Sequence, residues 1–334
     1  MKIWKVIPDE TKLNIQQQDV NVKSPAEGEV CVRIHATSLN KRDLMVANGT
    51  YPDVKENGLI PLSDGAGEII AIGKGVDNLC LGDRVVNLFW RDWMDGISAP
   101  DSVAMGGTVD GVLAEEVILP AHALIKIPEF LSFKEAATLP CAALTAWNAL
   151  MESGELKAGQ TVLTLGTGGV SLFALQFAKA AGAKVIITSS SDEKLARAKE
   201  MGADILINYR TTPNWAEEVL RLTDNKGADV VIETGGPGTL NQSLQAASFN
   251  GQVTMIGVQA GISENISPLP ILFKKLRLQG IMVGNKKMFE NMLAQISAHE
   301  IKPVVDQIFS FEDAPKAFET MESANHFGKI VIVN

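Results

Sequence analysis

Hydrophobic and polar positions change their rhythm along the chain. From Met1 to Ile127 apolar residues alternate with polar ones in short runs: Met1 to Ile7, Glu29 to Ala36, Gly67 to Gly73, Asp83 to Phe89, Val112 to Leu119 and Ala123 to Ile127. Each run is bounded by Gly, Pro, Asn or Asp, and this period of two predicts a β-rich, barrel-like or sandwich-like domain. One helical stretch, Lys41 to Ala47, interrupts the strands. Trp90 to Asp110 has no period, and we expect an irregular loop that partly covers a cleft. From Pro128 the pattern shifts. Phe133 to Met151 reads as a broken helix, with Pro140 at the break and Gly154 as the stop. Strands are then expected near 161–165, 184–188, 204–207, 229–232, 252–256 and 276–282, recurring about every 25 residues with helical patterns between most of them. Runs such as Val230-Val231-Ile232 are apolar on both faces, as strands are when helices cover both sides of a parallel sheet. Six strands complete a doubly wound α/β domain. The tail, with a helix, a strand at Val304 to Phe309, an amphipathic helix at Phe311 to Glu322 and a strand at Lys329 to Val333, is therefore expected to return to the first domain. The expected boundaries are 1–127, 128–284 and 285–334.

The first strand of the second series, Thr161 to Leu165, runs into Gly166-Thr167-Gly168-Gly169-Val170-Ser171 and a helical period, with a second strand behind it. Strand, glycine turn, helix and strand form the unit that seats a dinucleotide pyrophosphate. Gly166 permits the tight turn and Gly168 a close approach of backbone to phosphate, while Gly169 and Val170 begin a helix whose first N–H groups are free. Ser171 stands where a third glycine is usual and is small enough for close helix–strand packing. A glycine turn alone can also bind nothing; the β and α context favours the dinucleotide. An NAD site ends its second strand with an acid that binds the ribose 2′-hydroxyl. Here that strand ends Thr188-Ser189-Ser190-Ser191, with Asp192 and Glu193 only inside the next helix and Lys194 and Arg197 beyond. Hydroxyls, open N–H groups and one or two cations suit a 2′-phosphate, which favours NADPH over NADH. The same residues are also a good capping sequence followed by a solvated face.

Charge and cysteines narrow the classes further. The formal net charge is −9, so the global field repels phosphate backbones and argues against a nucleic-acid partner. Cys31, Cys80 and Cys141 lack metal-ligand spacing, and the four histidines are isolated, so a reducing, cytoplasmic location is expected and a structural zinc is not. No run of about 18 apolar residues suggests a membrane span.

The order of parts resembles the medium-chain dehydrogenase/reductase superfamily. The motifs that carry the resemblance are Ser38-Leu39-Asn40-Lys41-Arg42-Asp43-Leu44, Asn48-Gly49-Thr50-Tyr51-Pro52, Asp64-Gly65-Ala66-Gly67-Glu68-Ile69, Gly82-Asp83-Arg84-Val85, Leu144-Thr145-Ala146-Trp147, the glycine turn, Ile256-Gly257-Val258 and Gly328-Lys329-Ile330-Val331. The resemblance implies a Rossmann domain inserted into a GroES-like catalytic domain, with the active site in the cleft between them. It also places Tyr209 beside the adenosine phosphate, and Thr145, Gly257 and Val258 near the nicotinamide. A helix hydroxyl bonded to backbone and an ordinary strand-end glycine are the plainer alternatives for Thr145 and Gly257. In the zinc-dependent alcohol dehydrogenases of the superfamily, a cysteine, a histidine next to a glutamate, and a second cysteine surround the metal. The matching positions here are Asn40, Ser63 with Asp64, and Cys141, a set that falls short of a zinc site. Their proton-relay hydroxyl falls at Arg42. Similarity to the zinc-independent, quinone oxidoreductase-like branch remains, and with it the expectation of hydride transfer from NADPH to a quinone or an α,β-unsaturated carbonyl. Asn40 and Tyr51 are the candidates for a hydrogen bond to the developing oxyanion. An N-cap role for Asn40 and a ring-packed loop anchor for Tyr51 are the structural alternatives, while Asp64 could orient Lys41 or Arg42, with an ion pair at the surface or just behind the site as its structural reading. A zinc-free alcohol dehydrogenase and a non-catalytic NADPH-binding or redox-sensing protein are the competing functions. Relatives often form homodimers.

Overall fold

Alternating sequence and turn residues build most of the first unit, in a computed structural model that describes residues 1–7, 15–52, 54, 58–97, 103–257 and 265–334. The elements, in order, are β1 (Lys2–Val6), β2 (Ile15–Asp19), β3 (Glu29–Ser38), α1 (Lys41–Ala47), β4 (Asp64–Ile72), β5 (Arg84–Asn87), β6 (Glu116–Pro120) and β7 (Leu124–Lys126). The strand β2 was not expected, because its sequence IQQQD offers a single buried apolar residue, Ile15; its pairing with β1 supplies what pattern does not. The broken helical segment is α2 (Phe133–Ala136), a π turn at Leu139–Ala143 containing Pro140, α3 (Leu144–Trp147) and a second π turn at Asn148–Glu152. Pro140 lacks the N–H that a regular α turn would use, so the helix resumes in a wider turn.

The second unit alternates strand and helix: β8 (Thr161–Leu165), α4 (Gly169–Ala180), β9 (Lys184–Ser189), α5 (Asp192–Glu200), β10 (Ile205–Asn208), α6 (Trp215–Leu222), β11 (Ala228–Glu233), α7 (Pro237–Ala246), β12 (Ala247–Met255), α8 (Leu269–Lys274) and β13 (Arg277–Gly280). Its sheet is six-stranded with the order β10-β9-β8-β11-β12-β13. All its pairings are parallel. This is the doubly wound dinucleotide order, whose ligands bind beyond the carboxyl ends of the strands. Leu163, Ile186, Val231 and Val253 are fully buried in its core.

After this unit the chain goes back. The elements α9 (Lys286–Ala298), β14 (Val305–Ser310), α10 (Ala314–Ser323) and β15 (Lys329–Val333) complete the first unit's seven-stranded sheet, in the order β14-β15-β3-β4-β5-β7 with β6 also on β3. The return is held by Val331 opposite Ser38 in an antiparallel pair, and by Phe311 and Phe318 in the same core as Val32, Leu39 and Val85. Packing groups Met1–Leu144 with Asn285–Asn334 and leaves Thr145–Gly284 as the other unit. The architecture is a Rossmann sheet inserted into a mixed, β-rich unit. Among the described residues no helix is long and apolar enough to cross a membrane.

Candidate active site

Two sites emerge, one in each unit. In the first unit, β3 ends at Ser38 and the chain turns at Leu39-Asn40 into α1. Asn40 takes the N-cap position with extended backbone, and the Asp43 carboxylate accepts its backbone N–H at 2.7 Å. The structural alternative for Asn40 is thus present in the fold, but its side chain is also committed elsewhere. Asn40 Oδ1 accepts from Lys329 Nζ at 2.6 Å, and Asn40 Nδ2 donates to Ser63 Oγ across a long 3.5 Å. Ser63 Oγ donates to Asp64 Oδ1 at 2.5 Å, and the backbone N–H of Cys141 donates to Asp64 Oδ2 at 3.2 Å. Lys329 Nζ donates as well to the Leu39 carbonyl at 2.6 Å and lies 4.0 Å from Asp64 Oδ2.

These groups are withdrawn from water: Asp64 and Ser63 are fully buried, Lys329 is 3% exposed and Asn40 8%. An unpaired buried carboxylate costs several kcal/mol, so the ammonium is a structural requirement of Asp64. Burial pushes the Asp64 carboxyl up, opposed by the Lys329 charge and the hydrogen bonds from Asn40, Ser63 and Cys141. The Asp43 carboxyl is raised to about 6 by burial, against the pull of Arg42. Asp64 is therefore not a surface ion pair, and its cation is not Lys41 or Arg42. Arg42 instead pairs with Asp43 at 3.4 Å and donates to the carbonyls of Met105 and Gly106. Its guanidinium lies 4.9 Å from the Tyr51 ring centroid and 5.0 Å from that of Phe89. Tyr51 thus packs its ring on a cation, the anchoring arrangement foreseen as its alternative.

The irregular stretch after Trp90 is described except at 98–102. It is tied within the first unit by Lys286 and Lys287, whose N–H groups donate to the carbonyls of Trp93 and Met94.

In the second unit the carboxyl ends of β10, β9, β8, β11 and β12 lie side by side. Gly166, with φ +77°, makes the turn after β8, and Gly168 precedes α4 with ordinary extended backbone. A Cβ added at Gly168 would meet no atom within 4 Å. Neither φ nor packing explains a glycine there, whereas a phosphate seated on the first N–H groups of α4, those of Gly169 and Val170, would. This is the observation on which the unit fits a dinucleotide. Ser171 Oγ donates to the Leu165 carbonyl at 2.6 Å and ties α4 to the strand it leaves, a bond that glycine would forfeit. Next along the edge, Ser189 is buried at the end of β9 and Ser191 caps α5 by accepting from Lys194 N–H at 3.3 Å. Ser190 and Lys194 are partly exposed. Asp192 accepts from Asn208 Nδ2 at 2.6 Å, and Tyr209, largely exposed, donates its N–H to the Ser189 carbonyl. Thr145 is buried in α3, and Gly257 follows β12 beside Thr234. Val258 lies outside the described residues.

The residues that sequence reasoning missed are Lys329 and Asp43. Lys329 was visible only as part of a closing motif; the available signal was a lysine opening a strand whose other residues, Ile-Val-Ile-Val, are apolar. The donor set around it does not fit zinc. An ammonium and an amide stand among the oxygens, and Cys141 is the single thiol in the set. Among the described residues no group of three or more His, Cys, Asp or Glu is placed to hold a metal ion.

Comparison with known proteins agrees with this architecture. Residues 26–129 match the family model described as alcohol dehydrogenase GroES-like domain, and residues 169–298 match the one described as zinc-binding dehydrogenase. The chain is 47% identical over 313 residues to a zinc-type alcohol dehydrogenase-like protein of Schizosaccharomyces pombe, covering 91% of this chain and 90% of that one. It superposes on a solved NAD-dependent alcohol dehydrogenase with a TM-score of 0.92 at 31% identity, covering 100% of both chains. On a quinone oxidoreductase of Pseudomonas syringae pv. Tomato DC3000 the TM-score is 0.83 at 27% identity, covering 99% of this chain and 100% of that one. The fold and the matched families are those of an NAD(P)H-dependent oxidoreductase. The chain belongs to the medium-chain dehydrogenase/reductase superfamily.

Proposed function

We propose that this protein is an NADPH-dependent reductase of quinones or α,β-unsaturated carbonyls that works without zinc. The observation that carries this reading is the buried Asn40 amide. Its oxygen is held by Lys329, so the amide presents its nitrogen, which reaches Ser63 across 3.5 Å and also serves the Asp64 carboxylate. We infer that this nitrogen turns one N–H to an acceptor oxygen when substrate is bound. A quinone or enone is already electron-poor and needs no Lewis acid, only a donor where negative charge collects. When bound, NADPH supplies the hydride. On an enone, hydride joins the β-carbon, the C=C pair shifts to double-bond the α-carbon to the carbonyl carbon, the C=O π pair moves onto the oxygen as an enolate, and a proton later joins the α-carbon. Asn40 holds the enolate oxygen, and Tyr51 is the proposed proton source, alone or through water.

Preference for the phosphorylated cofactor rests on the end of β9. It carries Ser189, Ser190 and Ser191 with no acid, and the nearest carboxylate, Asp192, is engaged by Asn208. Thr145, Gly257 and Val258 are proposed for the nicotinamide side and Tyr209 for the adenosine side. The three cysteines are unpaired, which suits the cytoplasm.

Steady-state assay with NADPH and 1,4-benzoquinone or but-3-en-2-one tests the proposal. NADPH oxidation should exceed background with at least one acceptor, and Asn40→Ala should lower kcat/KM by roughly 100-fold while NADPH binding is kept. Turnover of alcohols with NADP⁺ and not of these acceptors would favour the dehydrogenase alternative, which the similarity to alcohol dehydrogenases supports. Binding without any turnover would favour a non-catalytic sensor, and stoichiometric zinc in the purified protein would overturn the zinc-free assignment.

A further inference from the structure

We propose that Lys329 is a positioning residue whose buried ammonium fixes the orientation of the Asn40 amide. The inference rests on the reading of Asn40 as the donor to the acceptor oxygen, and it concerns why that amide presents nitrogen and not oxygen.

An amide side chain has a donor end and an acceptor end of nearly the same shape, so its orientation is set by its neighbours. Here two neighbours allow no ambiguity. An ammonium only donates, and Lys329 Nζ lies 2.6 Å from Asn40 Oδ1, so the carbonyl end must face it. At the far end of the network a carboxylate only accepts. Asp64 Oδ1 takes the hydrogen of Ser63 Oγ at 2.5 Å, which leaves the serine lone pairs toward Asn40 Nδ2. The polarity runs one way, from Lys329 through Asn40 and Ser63 to Asp64. Flipping the amide would set an N–H against the ammonium and a carbonyl against a serine with no hydrogen to give.

Three further observations make Lys329 specific to this task. It is 3% exposed although it opens a strand, so its charge is held inside the unit at a desolvation cost that a surface lysine would not incur. Its second strong bond goes to the carbonyl of Leu39, the residue before Asn40, so the ammonium grips both backbone and side chain of the same turn. The register of β15 against β3, with Val331 opposite Ser38, delivers it there. With its carbonyl end held by Lys329, the amide turns Nδ2 toward the Ser63 oxygen and the Asp64 carboxylate.

The test uses full-length protein labelled with ¹⁵N-asparagine. The side-chain NH₂ pair of Asn40, assigned by its disappearance in Asn40→Ala, should be a single set with slow solvent exchange. In Lys329→Met it should shift, with exchange faster by about 10-fold or more. Lys329→Gln covers the case in which the methionine variant does not fold, because glutamine can donate or accept and so no longer dictates the flip; two sets of Asn40 signals are expected. For reduction of 1,4-benzoquinone or but-3-en-2-one, whichever the wild type turns over, a Lys329 variant should lower kcat by about 10- to 100-fold. Added to Asn40→Ala, the same substitution should lower it by less than about 3-fold, since the two residues act as one unit. Unchanged Asn40 signals in the variants, or losses that simply multiply, would overturn the inference. Altered Asn40 signals together with a wild type that reduces neither acceptor would uphold the positioning and overturn the reductase proposal instead.

Discussion

On the proposed reading, single side chains set cofactor choice and one pH response. Replacing Lys194 with Ala should weaken NADPH at least about 10-fold while NADH changes by less than about 3-fold, as fluorescence titration would read; an equal loss for both sinks the 2′-phosphate assignment. His35 lies in β3 stacked on Phe133, with ring centroids 4.4 Å apart. Burial lowers its pKa, assisted by the charges of Arg33 and Arg84 and opposed by Glu68. The unfolded chain therefore takes up the proton first, near pH 6.5, and stability complete above that value is lost as pH falls through the lower folded pKa. Between pH 7 and 5 the melting temperature of the wild type should fall further than that of His35→Gln. The two falling in parallel would refute it. The motifs singled out Asn40 and Tyr51 as candidates, but not Lys329, because its contact with Asn40 spans 289 residues and belongs to no local pattern. The ionic partner of Asp64 was misjudged for the same reason.

Elements were far more legible than contacts. The helix Lys41–Ala47 and the strand Lys329–Val333 lie where their patterns put them, since each combines a clear period with a turn signal at its start. The strand β2 escaped notice because pairing and not burial makes it a strand. Gly168 at the start of α4 separates structural from binding roles cleanly. Its backbone is of a kind any residue adopts and a Cβ there would meet nothing. Gly168→Ala should keep the apo-protein within about 0.5 kcal/mol of the wild type in urea unfolding and yet weaken NADPH at least about 10-fold. Unimpaired binding would mean that the pyrophosphate does not sit against this turn.

At the scale of the molecule, the six-stranded sheet ends in β13, whose residues are all exposed and which has no further strand among those described. Leu272, Phe273 and Met282 nearby expose more than half of their surface. Such an edge is a template for pairing with another chain, and we propose that a second copy covers it to form the expected homodimer. Phe273→Asp should then yield monomer in sedimentation velocity, whereas an unchanged mass would place any dimer contact elsewhere. The sequence does not mark this face, because an apolar residue on a helix looks the same whether it is buried or exposed.

The return of the chain carries a consequence for synthesis. Residues 145–284 are contiguous, so that unit can close as soon as it has left the ribosome. The other unit must wait with Asn40, Ser63 and Asp64 already made and their cation still unwritten. Until Lys329 arrives, a carboxylate destined for a dry interior has nothing to neutralise it. The nascent first unit thus cannot seal its own interior early, and the last strand acts as the latch that turns a loose β assembly into a finished site.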